Sequence, residues 1–339
     1  MKHVFNEDFL ASSDQYQDTM ESVILPWLKQ RVTEKLIQTA DNRPLFCASY
    51  TADVPVGTVV IVHGFTENAY KYSELIYSLL QHHYSVLAYD QRGHGRSWRD
   101  QGVSDLSVTH VERFDDYVSD LGIVCDSFLP TMPRPVFVFA HSMGGAVTAL
   151  FLEKYPDVFQ AAVLCAPMIA PNTSGIPVPV VKAICGAARL CHRGRKNPFF
   201  LKPWSGPEDF STSCATDKAR FDWYNGVKTA REQFHNSIPS YGWTRESVHV
   251  TARILAKGAP ERISCPVVLF TADDDNSVLP EPQKAFISRV SNGRHVFVPG
   301  SRHEIFRSTD DVLYPWWHQV LSFLNNAAGE YRKGSGKKI

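Results

Sequence analysis

The stretch FVFAHSMGGAVTAL, residues 137–150, decides how the rest of the chain is read. An apolar, strand-like run leads into His141, Ser142, Met143, Gly144 and Gly145, and a helix-forming stretch follows. A serine ahead of a helix is ordinarily an N-cap. This one sits at an abrupt strand-to-helix junction, and the positions two before and two after it, Ala140 and Gly144, are small. A turn sharp enough to strain the serine backbone needs that, because larger side chains would collide there. Read from Ala140, A-H-S-M-G is a variant of the G-x-S-x-G nucleophile elbow, with one extra methyl group in place of the first glycine. The expectation is that Ser142 is a nucleophile, backed by a helix amino terminus whose unpaired N–H groups face a developing anion.

A serine hydroxyl is a weak nucleophile and needs a base, an orienting acid and an oxyanion hole. On an elbow of this kind the partners follow in the order acid, then base. The acid is expected after a later strand, where LFTADDDNSV supplies Asp273, Asp274 and Asp275. Three adjacent carboxylates repel one another and cannot all be buried. Asp275 is preferred because Val278 follows closely enough to anchor the loop, with Asp273 and Asp274 as alternatives. The base is expected after the last strand, where VFVPGSRHEIF supplies His303. His295 falls at a strand start and His318 in the final helix. The N–H groups of Met143 and Phe65 are the expected oxyanion donors, Phe65 following the turn made by His63 and Gly64.

Outward from the elbow, apolar runs alternate with helical patterns. TEKLIQTADNRPLFCASY reads as a hairpin turning near Asp41 and Asn42. Strands are expected at 58–62, 85–90, 136–140 and 161–165, with helices at 69–82, 110–128 and 142–155. After a break the pattern returns with a strand at 266–271, a helix near 280–290, a strand at 294–298 and a helix near 311–326. Alternation of this kind means a parallel sheet with helices on both faces. The domain expectation is an amino-terminal extension at 1–32, a core at 33–166 and 259–326, an insertion at 167–258 over the carboxyl edge of the sheet, and a frayed basic tail at 327–339.

The chain has 339 residues and a formal net charge of zero, which argues against a nucleic-acid partner. Its seven cysteines form no CxxC pair, against both a disulfide framework and a zinc site. Neither a signal-peptide core nor an 18-residue apolar run is visible.

HGFTENAYKYSEL, YDQRGHGRS, HSMGG, the aspartate loop and GSRHE, taken together and in order, resemble an α/β-hydrolase of the monoacylglycerol lipase and bacterial lysophospholipase group. The resemblance runs from about residue 33 to 326 and is weakest in the insertion. It implies a mostly parallel eight-stranded sheet with a cap insertion, and a serine carboxylic-ester hydrolase without metal or organic cofactor. The implied substrate is a lysophospholipid or other monoacyl ester, with acyl transfer as a possible second outcome. A monoacylglycerol lipase or general carboxylesterase is the alternative, and a non-catalytic lipid-binding protein on the same fold is the rival of another class. The subgroup implies a cytoplasmic chain attached peripherally to the inner membrane. Asp90, Arg92 and His94 of YDQRGHGRS are expected to brace turns rather than to form a second catalytic set.

Residues 158–207 contain no acidic side chain but include Lys182, Arg189, Arg193, Arg195, Lys196 and Lys202. An apolar stretch followed by cations and aromatics suits an anionic membrane surface. Arg189, Arg193, Arg195 and Lys196 are the candidate contacts with membrane or head group. Trp204, Phe210, Phe221, Trp223, Tyr224, Tyr241 and Trp243 are candidates to line an acyl tunnel or to fill the cap core.

Overall fold

The structure is a computed structural model and describes residues 5–335. Its strands are β1 (Val32–Gln38), β2 (Pro44–Tyr50), β3 (Gly57–Val62), β4 (Tyr84–Tyr89), β5 (Val108–Thr109), β6 (Val136–His141), β7 (Ala161–Cys165), β8 (Ile238–Pro239), β9 (Val267–Asp274) and β10 (Gly293–Arg302). Its α-helices are α1 (Tyr16–Thr19), α2 (Leu25–Lys29), α3 (Ser73–Gln81), α4 (Asp115–Phe128), α5 (Met143–Lys154), α6 (Val178–Leu190), α7 (Lys218–Ala230), α8 (Tyr241–Ile254), α9 (Pro280–Ile287) and α10 (Asp310–Ser335).

Eight strands form one sheet in the order β1-β2-β4-β3-β6-β7-β9-β10. The β1–β2 and β2–β4 pairs are antiparallel and the others parallel. Strands β3, β4, β6 and β7 are buried along their whole length, as parallel strands covered on both faces must be. Alternate residues feed opposite cores. Val60 and Val62 of β3 pack with α4, α5 and α9, while Val59 and Ile61 pack with α3 and α10.

The amino-terminal segment belongs to this second core. Tyr16, Met20, Ile24 and Leu28 recur at four-residue spacing along one face and are all buried. The carboxyl end differs from expectation. Composition predicts a frayed tail from residue 327, yet α10 continues to Ser335, with Ala327 and Ala328 buried against the second core. Continued apolar contact outweighs the polar composition that suggests fraying; residues 336–339 lie outside the described residues.

Between β7 and β9 the chain leaves the main sheet and builds α6, α7 and α8. The short β8 pairs with β5 in a separate two-stranded ribbon. This segment touches the carboxyl ends of the parallel strands at several points. Met168 N–H donates to the Ser142 carbonyl at 2.8 Å, Glu304 N–H to the Cys214 carbonyl at 3.0 Å, and Thr216 N–H to the Arg307 carbonyl at 3.3 Å.

Candidate active site

Ser142 joins β6 to α5 with φ 51° and ψ −118°, a conformation that costs a non-glycine residue of order 1–3 kcal/mol. Its neighbours explain how the turn fits. A Cβ on Gly144 would lie 2.1 Å from the Val62 carbonyl oxygen and 2.6 Å from that of His63. A Cβ on Gly145 would lie 2.4 Å from Cβ of Pro167. Ser142 occupies the N-cap position of α5, but its side chain caps nothing. Its Oγ instead lies 2.8 Å from His303 Nε2.

His303 follows β10, whose pairing with β9 shifts register between Val298 and Arg302. Gly300, at φ 74°, lies within this irregularity. His303 Nδ1 is 2.7 Å from Asp275 Oδ2. With an Nδ1 proton donated to the carboxylate, Nε2 is left to accept from the Ser142 hydroxyl. The other carboxylate oxygen of Asp275 accepts from the N–H groups of Ser277 at 2.8 Å and Val278 at 3.0 Å. Burial would raise the Asp275 carboxyl, but the His303 ring and these N–H donors more than offset it and hold it below the usual carboxylate range. The other two aspartates turn elsewhere. Asp273 accepts from Gly300 N–H at 3.0 Å, and the exposed Asp274 sits 3.6 Å from Arg302 Nε.

The loop after β3 lies against the elbow. A Cβ on Gly64 would stand 3.0 Å from Cβ of Ser142. The N–H groups of Phe65 and Met143 have no protein acceptor among the described residues. The Phe65 ring packs at 4.0 Å on Trp243 from α8 and at 6.0 Å on His94, so cap and core together hold it.

Behind this loop lies a buried charge network absent from the sequence reading. Glu67 Oε2 accepts from Gly64 N–H at 2.6 Å and Tyr72 OH at 2.5 Å, and lies 3.2 Å from His141 Nδ1. His141 Nε2 is 3.1 Å from the His303 carbonyl oxygen. Lys71 Nζ bridges Glu67 Oε1 at 3.0 Å and Glu304 Oε1 at 2.5 Å, and Arg307 takes the other Glu304 oxygen at 2.5 Å. Burial alone would push the Glu67 carboxyl up; Lys71, His141 and Tyr72 reverse this and hold it well below its ordinary range. Glu67 and Lys71 stand at i,i+4 and His141 within HSMGG, the only local traces of the network. Glu304 and Arg307 join it only through the fold.

YDQRGHGRS acts as a brace. Asp90 accepts from the N–H groups of Ala69 at 2.7 Å and Arg96 at 2.8 Å. Arg92 holds Asp120 through two hydrogen bonds at 2.6 and 2.7 Å. The cations of the middle segment divide. Arg189, Arg193 and Lys196 are exposed with no ion pair among the described residues. Arg195 is tied instead to Asp100 at 3.1 Å and Glu112 at 3.8 Å. The aromatics divide as well. Trp223 stacks on Tyr70 at 6.0 Å, Trp204 stacks on His235 at 3.6 Å, and Tyr224 OH accepts from Asn68 Nδ2 at 2.7 Å. These contacts fill the cap or its seam with the core. Among the described residues, the one cluster of His, Asp and Glu close enough to share a metal ion is Glu7, Asp8 and His318, none of which belongs to the Ser142–His303–Asp275 line. No helix among the described residues is long and apolar enough to cross a membrane.

A strained serine on this sheet, with a histidine and a carboxylate aligned behind it, defines an α/β-hydrolase. The family described as "Serine aminopeptidase, S33" matches residues 53–310. The chain belongs to that family and, within it, to the group of lysophospholipases and monoacylglycerol lipases that its sequence resembles. It is 28% identical over 306 residues to lysophospholipase L2 of Escherichia coli K12, covering 84% of this chain and 85% of that protein. It is 31% identical over 296 residues to monoglyceride lipase of Mus musculus, covering 85% and 88% of the two chains. A solved soluble variant of monoglyceride lipase from Saccharomyces cerevisiae shares the fold at TM-score 0.67 and 18% identity, covering 87% of this chain and 96% of that one.

Proposed function

We propose that this chain is a lysophospholipase, a serine esterase that cleaves the fatty acyl ester of a lysoglycerophospholipid. The observation that carries the chemistry is the unbroken line Ser142 Oγ–His303 Nε2–Asp275 Oδ2, at 2.8 Å and 2.7 Å, starting from a strained elbow. In this reading His303 takes the proton as Ser142 Oγ attacks the ester carbonyl, and Asp275 orients the ring and stabilises its cation. The N–H groups of Phe65 and Met143 receive the oxyanion. His303 returns the proton to the departing glycerol-phosphate alcohol, leaving an acyl-enzyme. Water, deprotonated by His303, releases the fatty acid; a second alcohol in its place gives acyl transfer. The lysolipid substrate is supported by the Escherichia coli relative's name and extent of similarity.

The acidic-free segment supports a second element of the proposal, peripheral docking on the anionic face of the inner membrane. Leu190 is 83% exposed, Phe199 90% and Phe200 60%, beside the unpaired Arg189, Arg193 and Lys196. Exposed aromatics flanked by free cations suit the boundary between head groups and acyl chains.

A fluorophosphonate probe is expected to label the protein and not its Ser142→Ala variant, with kcat lowered by roughly five or six orders of magnitude. An unlabelled wild type would point to a lipid-binding protein without chemistry. Asp275→Asn is expected to cost about 10⁴ in kcat, whereas Asp273→Asn and Asp274→Asn retain most activity. The mouse relative's name favours a monoacylglycerol lipase as the second reading. Rates measured side by side on lysophosphatidylethanolamine and monoolein decide between them: a higher kcat/KM on the lysophospholipid is expected, and a clear preference for monoolein would replace the proposal with the second reading.

A further inference from the structure

Ser142 works only if the Phe65 N–H and the His303 ring stand at a fixed separation, yet the two lie on loops far apart in the chain. His141, the residue before the nucleophile, bridges those loops. Its side chain is buried, with Nδ1 3.2 Å from Glu67 Oε2 and Nε2 3.1 Å from the His303 carbonyl oxygen. Both neighbours are acceptors. A neutral imidazole has a single N–H and satisfies only one of them, whereas the imidazolium donates to both. Burial alone would drive the ring toward its neutral form; Glu67, Glu304 and the His303 carbonyl more than offset this and raise its affinity for the second proton.

Each end of the bridge grips backbone. On the loop after β3, Glu67 Oε2 also accepts from Gly64 N–H at 2.6 Å. A Cβ on Gly64 would stand 2.9 Å from both Glu67 Oε2 and His141 Nδ1, so the pair presses directly on that loop. The Gly64 carbonyl belongs to the same planar peptide as the Phe65 N–H and accepts from His63 Nδ1 at 2.8 Å. His63 Nε2 accepts from Gln91 N–H at 2.9 Å, which leaves the ring proton on Nδ1. On the other side, the His303–Glu304 peptide is held at both edges. His141 takes its carbonyl, and its N–H donates to the Cys214 carbonyl at 3.0 Å. A second bridge runs alongside, because Lys71 Nζ joins Glu67 Oε1 to Glu304 Oε1. The His141 and His303 rings are 4.8 Å apart, and Phe306 meets His141 edge-on at 5.1 Å.

Packing alone does not call for this arrangement. An apolar ring would fill the same space, and a buried charge is costly unless it is well paired. The charged bridge adds a set distance between oxyanion donor and base, where a shift of about 1 Å can cost about a hundredfold in rate.

We propose that His141 is a positioning residue: donating from both ring nitrogens, it ties the oxyanion loop, through Glu67, to the backbone of His303. This role rests on the serine-esterase reading above, whose two halves His141 sets at working distance.

The test compares the full-length wild type with His141→Phe, which keeps a ring and no donor, and His141→Gln, whose amide keeps a donor at one end. On a soluble short-chain ester, kcat of His141→Phe is expected to fall about a hundredfold with KM close to wild type. Affinity for a trifluoromethyl ketone, which forms a tetrahedral oxyanion adduct on serine, is expected to fall in step with kcat/KM. His141→Gln is expected to recover part of the lost kcat. An unchanged kcat in His141→Phe, a loss confined to KM, or an unchanged ketone affinity overturns the proposal. Nitrogen-15 histidine spectra of the wild type test it without any variant. One solvent-protected ring with protons on both nitrogens is expected at neutral pH, and the absence of such a ring also overturns the proposal. Fluorophosphonate labelling keeps the two claims apart. A wild type that is not labelled at Ser142 removes the serine-esterase reading and this role with it; a labelled wild type beside an unimpaired His141→Phe removes this role alone.

Discussion

The two flanks of the cap solve opposite problems with neighbouring stretches of chain. On α7, Arg220 is fully buried and reaches three separate parts of the molecule. It donates to the Ala11 carbonyl at 2.7 Å, to Ser13 Oγ at 2.9 Å and to Asp310 at 2.8 Å, and lies 3.4 Å from Glu74 on α3. Burial would lower the Arg220 guanidinium's affinity for its proton, but Glu74, Tyr16 and the aspartates reverse that. On α6 and the residues after it, Val181 and Cys185 pack inward, but Val180, Ile184, Leu190, Phe199 and Phe200 face outward and most cations have no ion-pair partner among the described residues. One flank is tied to core, amino terminus and final helix at once. The other exposes the groups that a folded chain usually hides. A segment kept only as a roof would need the first kind of surface throughout. The second kind is what a lipid surface would cover.

The sharpest way to break this contrast is Arg220→Ala. It leaves Glu74, Asp217 and Asp310 without their shared cation, a change expected to cost about 3–5 kcal/mol in urea unfolding. Loss of vesicle binding without loss of stability would mean the flanks have been assigned the wrong way round. Next in size is the triple change Arg189→Ala, Arg193→Ala and Lys196→Ala. Each cation near an anionic surface contributes about 1 kcal/mol, so sedimentation with phosphatidylserine vesicles at low salt is expected to fall about a hundredfold. Unfolding stability is expected to stay within about 0.5 kcal/mol of wild type. Added salt should weaken wild-type vesicle binding toward the triple variant's level. Any salt-resistant remainder belongs to Leu190, Phe199 and Phe200.

The contrast also marks where sequence reasoning reaches. Strand and helix positions along the core were legible because each follows a local period of apolar residues. Ser142, His303 and the aspartate loop were legible because elbow and chain order constrain them together. Within that loop, sequence ranks Asp275 first but gives no geometry: adjacent carboxylates look alike until backbone N–H groups and the register shift of β10 separate them. Arg220 and the Glu67–Lys71–Glu304–Arg307 network left almost no trace. Their partners lie up to 233 residues apart for Lys71 and Glu304, and no local pattern encodes such a meeting. The expected fray at residue 327 failed for the same reason. Polar composition suggests it, while contacts with a distant core keep the helix intact.

Arg195 gives the finest test because sequence alone groups it with its neighbours. Its guanidinium already lies between Asp100 and Glu112, so much of its field is cancelled before any membrane approaches. Drawing it to a bilayer would require breaking the Asp100 pair, and the two opposing changes leave little net gain. An exposed pair of this kind is itself worth only about 0–1 kcal/mol to folding. Arg195→Ala is therefore expected to change vesicle binding less than about fivefold, the factor that corresponds to 1 kcal/mol, with little change in unfolding stability. Arg193→Ala, close by in the same group of free cations, is expected to weaken binding by about the full fivefold. Equal losses from the two variants would mean that binding reads total charge along the segment rather than which cations are free.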